Sequence, residues 1–178
     1  MPATAVLLPG RDKSLRNRHP WVFSGAIAGM SGAPVPGDAV DILSSDGRLL
    51  GRGFYNPGSQ LTLRVVSWGD DPVPGPSEWR ALACRALEHR TRLGMKGPGK
   101  ACRLVHSEAD GFPGLIADWY SGVLVVQLMS LCLDRRREEI LRALVEVISP
   151  DTVWERSEGE GRKLEGLDQR SGLLHGAE

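Results

Sequence analysis

Residues 39–66 read AVDILSSDGRLLGRGFYNPGSQLTLRVV, and they carry the clearest strand pattern in the chain. Val40 and Ile42 alternate with polar positions, and residues 61–66 form a second run rich in β-branched side chains. The Asp46-Gly47 pair that follows the first run is typical of a tight hairpin turn. The segment therefore predicts antiparallel β structure, in which Gly51 and Gly53 permit a bulge or a close backbone approach.

The surrounding sequence continues this pattern in both directions. About five or six short strands fall within the first ~70 residues, which predicts a small β-barrel or sandwich. Prolines and glycines then crowd residues 69–76 and predict a stiff, extended connection. We therefore expect a small β-barrel domain at residues 1–70, a linker at 71–76 and a second domain at 77–178.

The second domain has a mixed pattern of helices and strands. Ser77 is a candidate N-cap of a helix that runs to about Leu93, and Asp134 is a candidate N-cap of an amphipathic helix through Ile148. Short apolar runs between them predict strands, and Ser121-Gly122 predicts a hairpin between two of these. Residues 156–178 are polar and weakly patterned. The fold class expected for the whole chain is α+β, with an α/β sheet-plus-helix domain after the barrel.

Composition excludes several classes of protein. The 178 residues hold 22 Lys and Arg against 22 Asp and Glu, so a strongly basic, histone-like nucleic-acid binder is excluded, although a local basic patch is not. The three cysteines cannot form a closed set of disulfides. The chain has no apolar run of the ~18 residues that a membrane span needs, and its N-terminus is a poor signal peptide. We expect a cytoplasmic protein that does not enter a membrane.

Sequence motifs for catalysis, metals and cofactors are weak. The loop at residues 94–101 resembles a phosphate-binding loop, but Ala101 stands where a hydroxyl should hold Mg²⁺, and Pro98 lacks a backbone N–H. No Gly-x-Gly-x-x-Gly loop lies between a strand and a helix. The cysteines and histidines lack metal-ligand spacing, and Cys102 beside Arg103 is the one weak candidate nucleophile. The sequence therefore predicts no catalytic residue, metal site or cofactor site in this chain.

The densest basic cluster in the first half of the chain lies at residues 11–19, with four cations and one acid. Such a cluster is either a solvated face or a set of phosphate contacts that position a nucleic acid. Nearby aromatic residues could stack on a base or fill the barrel core; these are Trp21, Phe23, Phe54 and Tyr55. A second run, Arg135 to Arg137, is placed in the first turn of the predicted helix, where cations are unfavourable.

Several blocks of sequence resemble a known family. Residues 8–15 (LPGRDKSL) and 18–24 (RHPWVFS) resemble the opening of the PUA domain of class I S-adenosylmethionine-dependent rRNA methyltransferases that make 5-methylcytosine in 23S rRNA. Residues 36–41 (PGDAVD) and 51–60 (GRGFYNPGSQ) are similar to the rest of that domain. Residues 102–118 and 154–157 (WERS), with 162–167 (RKLEGL), are similar to the family's central α/β domain.

The resemblance implies a function and also an incomplete enzyme. Family members are much longer, and their Rossmann-like catalytic domain, with its cofactor loop and nucleophilic cysteine, follows the blocks matched here. The expectation is an RNA-binding N-terminal portion, truncated before the methylating module and inactive alone. It would bind structured RNA, most simply 23S rRNA, and could form a homodimer as family members often do. S-adenosylmethionine would serve the full-length family and not this chain.

The expected RNA contacts lie in the PUA-like domain. They are Arg11, Lys13, Arg16, Arg18, His19 and Arg52. An alternative of another class is a stand-alone RNA- or protein-interaction module with no enzymatic activity.

Overall fold

The computed structural model describes residues 3–177, and the chain divides into two compact units. The first ends at Pro74 and the second begins at Gly75, a division that falls within the predicted linker. The expected boundaries at residues 70 and 77 stay predictions. Within residues 3–177, no helix is both long enough and apolar enough to cross a bilayer.

The first unit is a six-stranded sheet with one single-turn helix. Its elements in chain order are β1 (Thr4–Leu7), α1 (Lys13–Arg16), β2 (Trp21–Val22), β3 (Ile27–Ser31), β4 (Ala39–Leu43), β5 (Leu49–Tyr55) and β6 (Leu63–Trp68). The strand order is β2-β6-β5-β4-β1-β3, and every neighbouring pair is antiparallel except β1 and β4. Val22 on one edge strand and Ile27 on the other contact the same apolar core, so the sheet curls around it.

Local sequence chemistry explains the centre of this sheet. The predicted hairpin between β4 and β5 is confirmed, and Gly47 supplies the positive φ of 82° that its turn requires. The close approach predicted at β5 is also confirmed, because a Cβ on Gly51 would lie 2.4 Å from the Ser67 carbonyl oxygen. The register shifts between Arg52 and Gly53, as a bulge requires. A closed barrel stays a prediction, since β2 and β3 stand at opposite edges of the strand order.

The second unit is a five-stranded sheet with helices. Its elements are α2 (Pro76–Arg92), β7 (Ala101–His106), β8 (Leu115–Tyr120), β9 (Val123–Leu128), α3 (Leu131–Asp134), α4 (Arg137–Ile148), β10 (Thr152–Ser157), α5 (Glu160–Leu164) and β11 (Arg170–His175). The strand order is β11-β10-β9-β8-β7, and only β9 and β10 are parallel. α2 packs against α4. The mixed α/β architecture with two sheets agrees with the expected fold class.

Two local expectations for this unit are wrong. Asp134 does not cap the long amphipathic helix, which begins at Arg137 with Arg136 as its N-cap residue. The Asp134 carboxylate instead accepts a hydrogen bond from the Arg162 guanidinium at 2.9 Å, so it is not available to the helix. The weakly patterned residues 156–178 contain a helix and an edge strand, α5 and β11, and β11 pairs antiparallel with β10. Ser77 does not cap the first helix of the unit, α2, which begins at Pro76 with Gly75 as its N-cap residue, and the Gly75 N–H donates to the Glu78 carboxylate at 2.9 Å.

Candidate nucleic-acid interface

The basic segment is held in place by one buried side chain and a few backbone hydrogen bonds. Leu15, the only buried residue of α1, is 3% exposed and belongs to the core of the first unit. The backbone N–H groups of Arg18 and His19 donate to the carbonyl oxygens of Leu15 and Ser14, each at 2.9 Å. Because Leu15 alone points inward, the cations around it stay at the surface.

A groove of about 390 Å³ lies on one side of α1, and we call it the aromatic groove. Its lining includes Arg11, Lys13, Trp21 and Phe23. Trp21 is 38% exposed and Phe23 is 50% exposed, which is unusual for such large apolar rings. Their ring centres are 6.3 Å apart with an interplanar angle of 86°, so the two rings form a corner. This groove combines cations with open aromatic surface.

A second groove, of about 350 Å³, lies on the other side of α1, and we call it the arginine groove. Arg16, Arg18 and Arg48 line it together with Trp68. The Arg18 guanidinium carbon lies 5.2 Å from the centre of a Trp68 ring, in a cation–π contact. Leu15 lines both grooves, so α1 and the residues that flank it form a ridge between them. We call residues 11–18 the α1 ridge.

The cations of this ridge differ in their charge partners. Arg16 is already paired with Asp12, whose Oδ2 lies 2.6 Å from its Nε. Arg11 and Lys13 are exposed and have no ion pair or side-chain hydrogen bond within residues 3–177. The pKa of Asp46 is lowered, chiefly by a hydrogen bond from Ser44 and with a small contribution from Arg16. Uncompensated positive charge is therefore concentrated at the aromatic groove and at Arg18.

The other expected RNA contacts have different surroundings. His19 is exposed, and its ring meets Trp21 edge-on at 5.4 Å, which extends the aromatic surface. Arg52 lies on β5, where its guanidinium bonds the Asp41 carboxylate and the Asp71 carbonyl oxygen, both at 2.8 Å. The structure thus brings Arg11, Lys13, Arg16, Arg18 and His19 together around α1, and it places Arg52 in an internal ion pair.

The four candidate aromatic residues fall into two groups. Trp21 and Phe23 are at the surface, whereas Phe54 is buried and Tyr55 is half-buried and packed on the core. Sequence reasoning did not single out Arg48, which follows the β4–β5 turn and reaches the arginine groove only through that hairpin. Its one sequence signal is its place directly after Asp46-Gly47.

The second basic run is mostly engaged within the second unit. Arg137 donates to the buried carboxylate of Glu155, and Arg136 donates to the Cys132 carbonyl oxygen at 3.0 Å. Arg135 lies exposed beside a groove of about 300 Å³ whose lining also includes three acids; these are Asp134, Glu138 and Glu139. This groove has a mixed charge and is a weaker candidate for phosphate than the α1 ridge.

Two of the three cysteines, Cys102 and Cys132, do not have the environment of a nucleophile. Burial raises the pKa of Cys102, which favours the unreactive thiol, and Arg103 is paired with Asp118 at 2.9 Å rather than with the sulfur. Cys132 is buried. Within residues 3–177, no three His, Cys, Asp or Glu side chains converge as metal ligands would.

The parallel strand pair of the second unit, β9 and β10, does not provide a cofactor loop. In dinucleotide-type folds, a Gly-rich loop after the strand presents free backbone N–H groups to the ligand. Here the chain between β9 and α3 is Met129-Ser130, and the Leu131 N–H donates to the Glu165 carboxylate at 3.2 Å. The Ser130 hydroxyl donates to the Pro113 carbonyl oxygen at 2.6 Å. Protein groups already fill this position, so the residues present do not fit S-adenosylmethionine there.

The loop at residues 94–101 is likewise occupied by internal contacts. Lys100 donates to the Gly94 carbonyl oxygen at 2.6 Å. The Lys96 ammonium lies 4.4 Å from the centre of a Trp119 ring and donates to the Ile148 carbonyl oxygen at 3.4 Å. Both lysines of the loop thus have partners in the protein.

Comparison with known proteins first defines the class of the first unit. Residues 6–68 match the family described as PUA-like domain. This match begins within β1 and ends with the last residue of β6, so it includes the α1 ridge, the aromatic groove and all of the arginine groove except Gly69.

Relatives of the whole chain are then found among curated proteins. The chain is 39% identical over 176 residues to ribosomal RNA large subunit methyltransferase I of Alteromonas mediterranea, and 40% identical over 170 residues to that of Shewanella amazonensis. The matches cover 99% and 96% of this chain but only 44% and 43% of the relatives. The chain thus spans less than half the length of these relatives.

Solved structures show that the fold is shared more widely. A candidate SAM-dependent methyltransferase from Streptococcus mutans superposes with a TM-score of 0.80 at 17% identity, over 100% of this chain and 44% of its own. A second structure, of a candidate methyltransferase complexed with SAH, gives the same TM-score over 43% of its chain. At this identity the likeness concerns the fold alone.

Proposed function

We propose that this chain binds structured RNA of the large ribosomal subunit through the α1 ridge. The observation that carries the proposal is the concentration of exposed cations on α1 and the residues beside it, between two grooves, with Arg11 and Lys13 lacking any protein acceptor within the described residues. Exposed cations of this kind neutralise phosphates and fix the register of an RNA on the protein. The PUA-like match and the names of the rRNA methyltransferase relatives support the choice of RNA.

The proposed recognition divides the work between the two grooves. Arg11 and Lys13 meet phosphates at the aromatic groove. Arg18 is oriented by its contact with Trp68, so less of its side-chain freedom is lost when it binds a phosphate. Arg16 contributes less charge because Asp12 already pairs with it. His19 stays in the proposed interface through its contact with Trp21, and Arg52 acts from within the protein by fixing β5 to β4.

We further propose that the RNA-binding chain serves methylation of a cytosine at carbon 5, with S-adenosylmethionine as the methyl donor. The resemblance of residues 8–15, 18–24 and 102–118 to that family supports the target atom. We assign the chemical step to residues outside this chain, because burial raises the pKa of Cys102, Cys132 is buried, and the β9–α3 connection is filled by protein groups. The chain's own contribution is to bind and orient the RNA.

Fluorescence anisotropy with a labelled, unmodified fragment of 23S rRNA tests the RNA-binding proposal. The test variant removes four cations from the ridge: Arg11→Ala, Lys13→Ala, Arg16→Ala and Arg18→Ala. The matched control removes four exposed cations from helices of the second unit: Arg80→Ala, Arg85→Ala, Arg92→Ala and Arg142→Ala. We expect the test variant to lose about ten-fold or more in affinity and the control to lose much less. Equal losses would show that total charge, and not the ridge, determines binding.

Calorimetry tests the assignment of the chemistry. Titration of S-adenosylmethionine into this chain should give no heat of binding, and the chain should not methylate unmodified 23S rRNA. Measurable binding of the cofactor would contradict the assignment of the chemical step to other residues, while leaving the RNA interface untouched.

A further inference from the structure

We infer that the aromatic groove is a binding site for one unpaired base of the RNA, and that it makes the chain prefer RNA with an unpaired loop over a continuous duplex. This inference rests on the proposed RNA-binding function. The observation behind it is a corner of two exposed aromatic rings, Trp21 and Phe23, in a groove that also contains two unpaired cations.

The geometry of the corner suits a flat ligand. The two rings are nearly perpendicular, with an interplanar angle of 86°, so a planar ring that stacks on one meets the other edge-on. Both arrangements are favourable for aromatic groups. His19 meets Trp21 at 86° on the same run of residues, so the aromatic wall continues beyond the corner. A base placed there would cover apolar surface that is now exposed to water.

The size and charge of the groove point to a single nucleotide. Its volume of about 390 Å³ is at the low end of ligand pockets, which hold small molecules and not long segments. Arg11 and Lys13 line the same groove and are the cations without protein acceptors. A base in the corner would therefore bring its own phosphate close to positive charge.

The same geometry selects unpaired over paired bases. Within an RNA helix the faces of each base are covered by its neighbours, and only base edges and the backbone are accessible. An aromatic ring can stack on a base only where that base has left the helix, as in loops, bulges and ends. The arginine groove has cations with only one partly buried ring, so phosphate contact there would be insensitive to pairing.

The test compares two RNAs of equal length, a hairpin with an unpaired loop and a fully paired duplex, by fluorescence anisotropy with the whole chain. The variants are Trp21→Ala/Phe23→Ala, the conservative Trp21→Phe, and the control Tyr120→Ala, which removes an exposed aromatic side chain from the other unit. Circular dichroism first confirms that each variant is folded. A third ligand, cytidine monophosphate, tests whether the site takes free nucleotides.

We expect the wild-type chain to favour the hairpin, and the double variant to lose about ten-fold or more for the hairpin while its affinity for the duplex is unchanged. Trp21→Phe should retain most of the preference, since it keeps an aromatic face, and Tyr120→Ala should retain all of it. Equal binding of both RNAs by the wild type, with the cations of α1 still required, would overturn this inference and leave RNA binding standing. Tight binding of cytidine monophosphate would overturn it in favour of a small-molecule site. Failure of the wild type to bind either RNA would refute the proposed function itself.

Discussion

The number of phosphate contacts can be predicted from the charge partners on the α1 ridge. Residues 11–18 hold four cations, but Arg16 is paired with Asp12 at 2.6 Å, which leaves Arg11, Lys13 and Arg18 to neutralise phosphates. Arg48 also lines the arginine groove, where the nearby Asp46 carboxylate offsets its charge. Each phosphate contact contributes about −0.7 to −0.9 to the slope of log affinity against log salt concentration. Three contacts therefore predict a slope of about −2 to −3, or a loss of about 20- to 40-fold between 50 and 200 mM salt.

The assay is a series of anisotropy titrations with the 23S rRNA fragment at four salt concentrations. Arg11→Ala, Lys13→Ala and Arg18→Ala should each reduce the magnitude of the slope by nearly one, whereas Arg16→Ala should reduce it by less, because Asp12 competes with the phosphate. The reasoning is refuted if Arg16→Ala changes the slope as much as the others, or if the triple variant keeps the wild-type slope. The first result would mean that the ion pair with Asp12 does not keep Arg16 from binding RNA. The second would mean that Arg11, Lys13 and Arg18 do not contact phosphates.

Two further predictions concern stability and are measured by urea unfolding. Asp110 accepts two hydrogen bonds from the Arg90 guanidinium. Burial alone would raise the pKa of Asp110, but the hydrogen bonds from Arg90 and from the His106 backbone N–H, together with the Arg90 charge, outweigh burial and lower the pKa. Because the pKa of Asp110 is lowered in the folded state, the stabilisation is present above the unfolded pKa and is lost as pH falls through the folded pKa. Asp110→Asn should therefore cost about 3 kcal/mol of unfolding free energy at pH 7 and much less near pH 2. An equal cost at the two pH values would contradict this. Arg162 is fully buried and donates hydrogen bonds to the Asp134 carboxylate and to two carbonyl oxygens. Arg162→Met should therefore cost about 3–5 kcal/mol of unfolding free energy, whereas Lys163→Met, at the exposed neighbouring position, should cost less than about 0.5 kcal/mol. Similar costs for the two variants would show that the buried network contributes little to stability.

Features that depend on neighbouring residues could be predicted from the sequence. Asp46-Gly47 and Ser121-Gly122 both form the expected hairpin turns, since Gly47, Ser121 and Gly122 take the positive φ values such turns need. The cations of residues 11–18 were found by composition alone. Their common location around α1 follows from one apolar residue, Leu15, within an otherwise polar turn.

Features that depend on distant partners could not be predicted in this way. Asp134 has the sequence context of a helix cap, but Arg162, 28 residues further on, takes its carboxylate. β11 has no clear alternation because it is an edge strand with half-exposed side chains, and its pairing with β10 defines it. Arg48 joins Arg16 and Arg18 only through the β4–β5 hairpin. The difference between Trp21 and Phe54, one exposed and one buried, likewise depends on how the sheet curls.

The central claim is that RNA contacts the α1 ridge and its grooves. Ultraviolet cross-linking of the chain to unmodified 23S rRNA, followed by mass spectrometry of the cross-linked peptides, locates the contact directly. We predict that the cross-links fall within residues 10–26, with Trp21 or Phe23 among the modified positions. Cross-links confined to residues 75–177 would contradict the account.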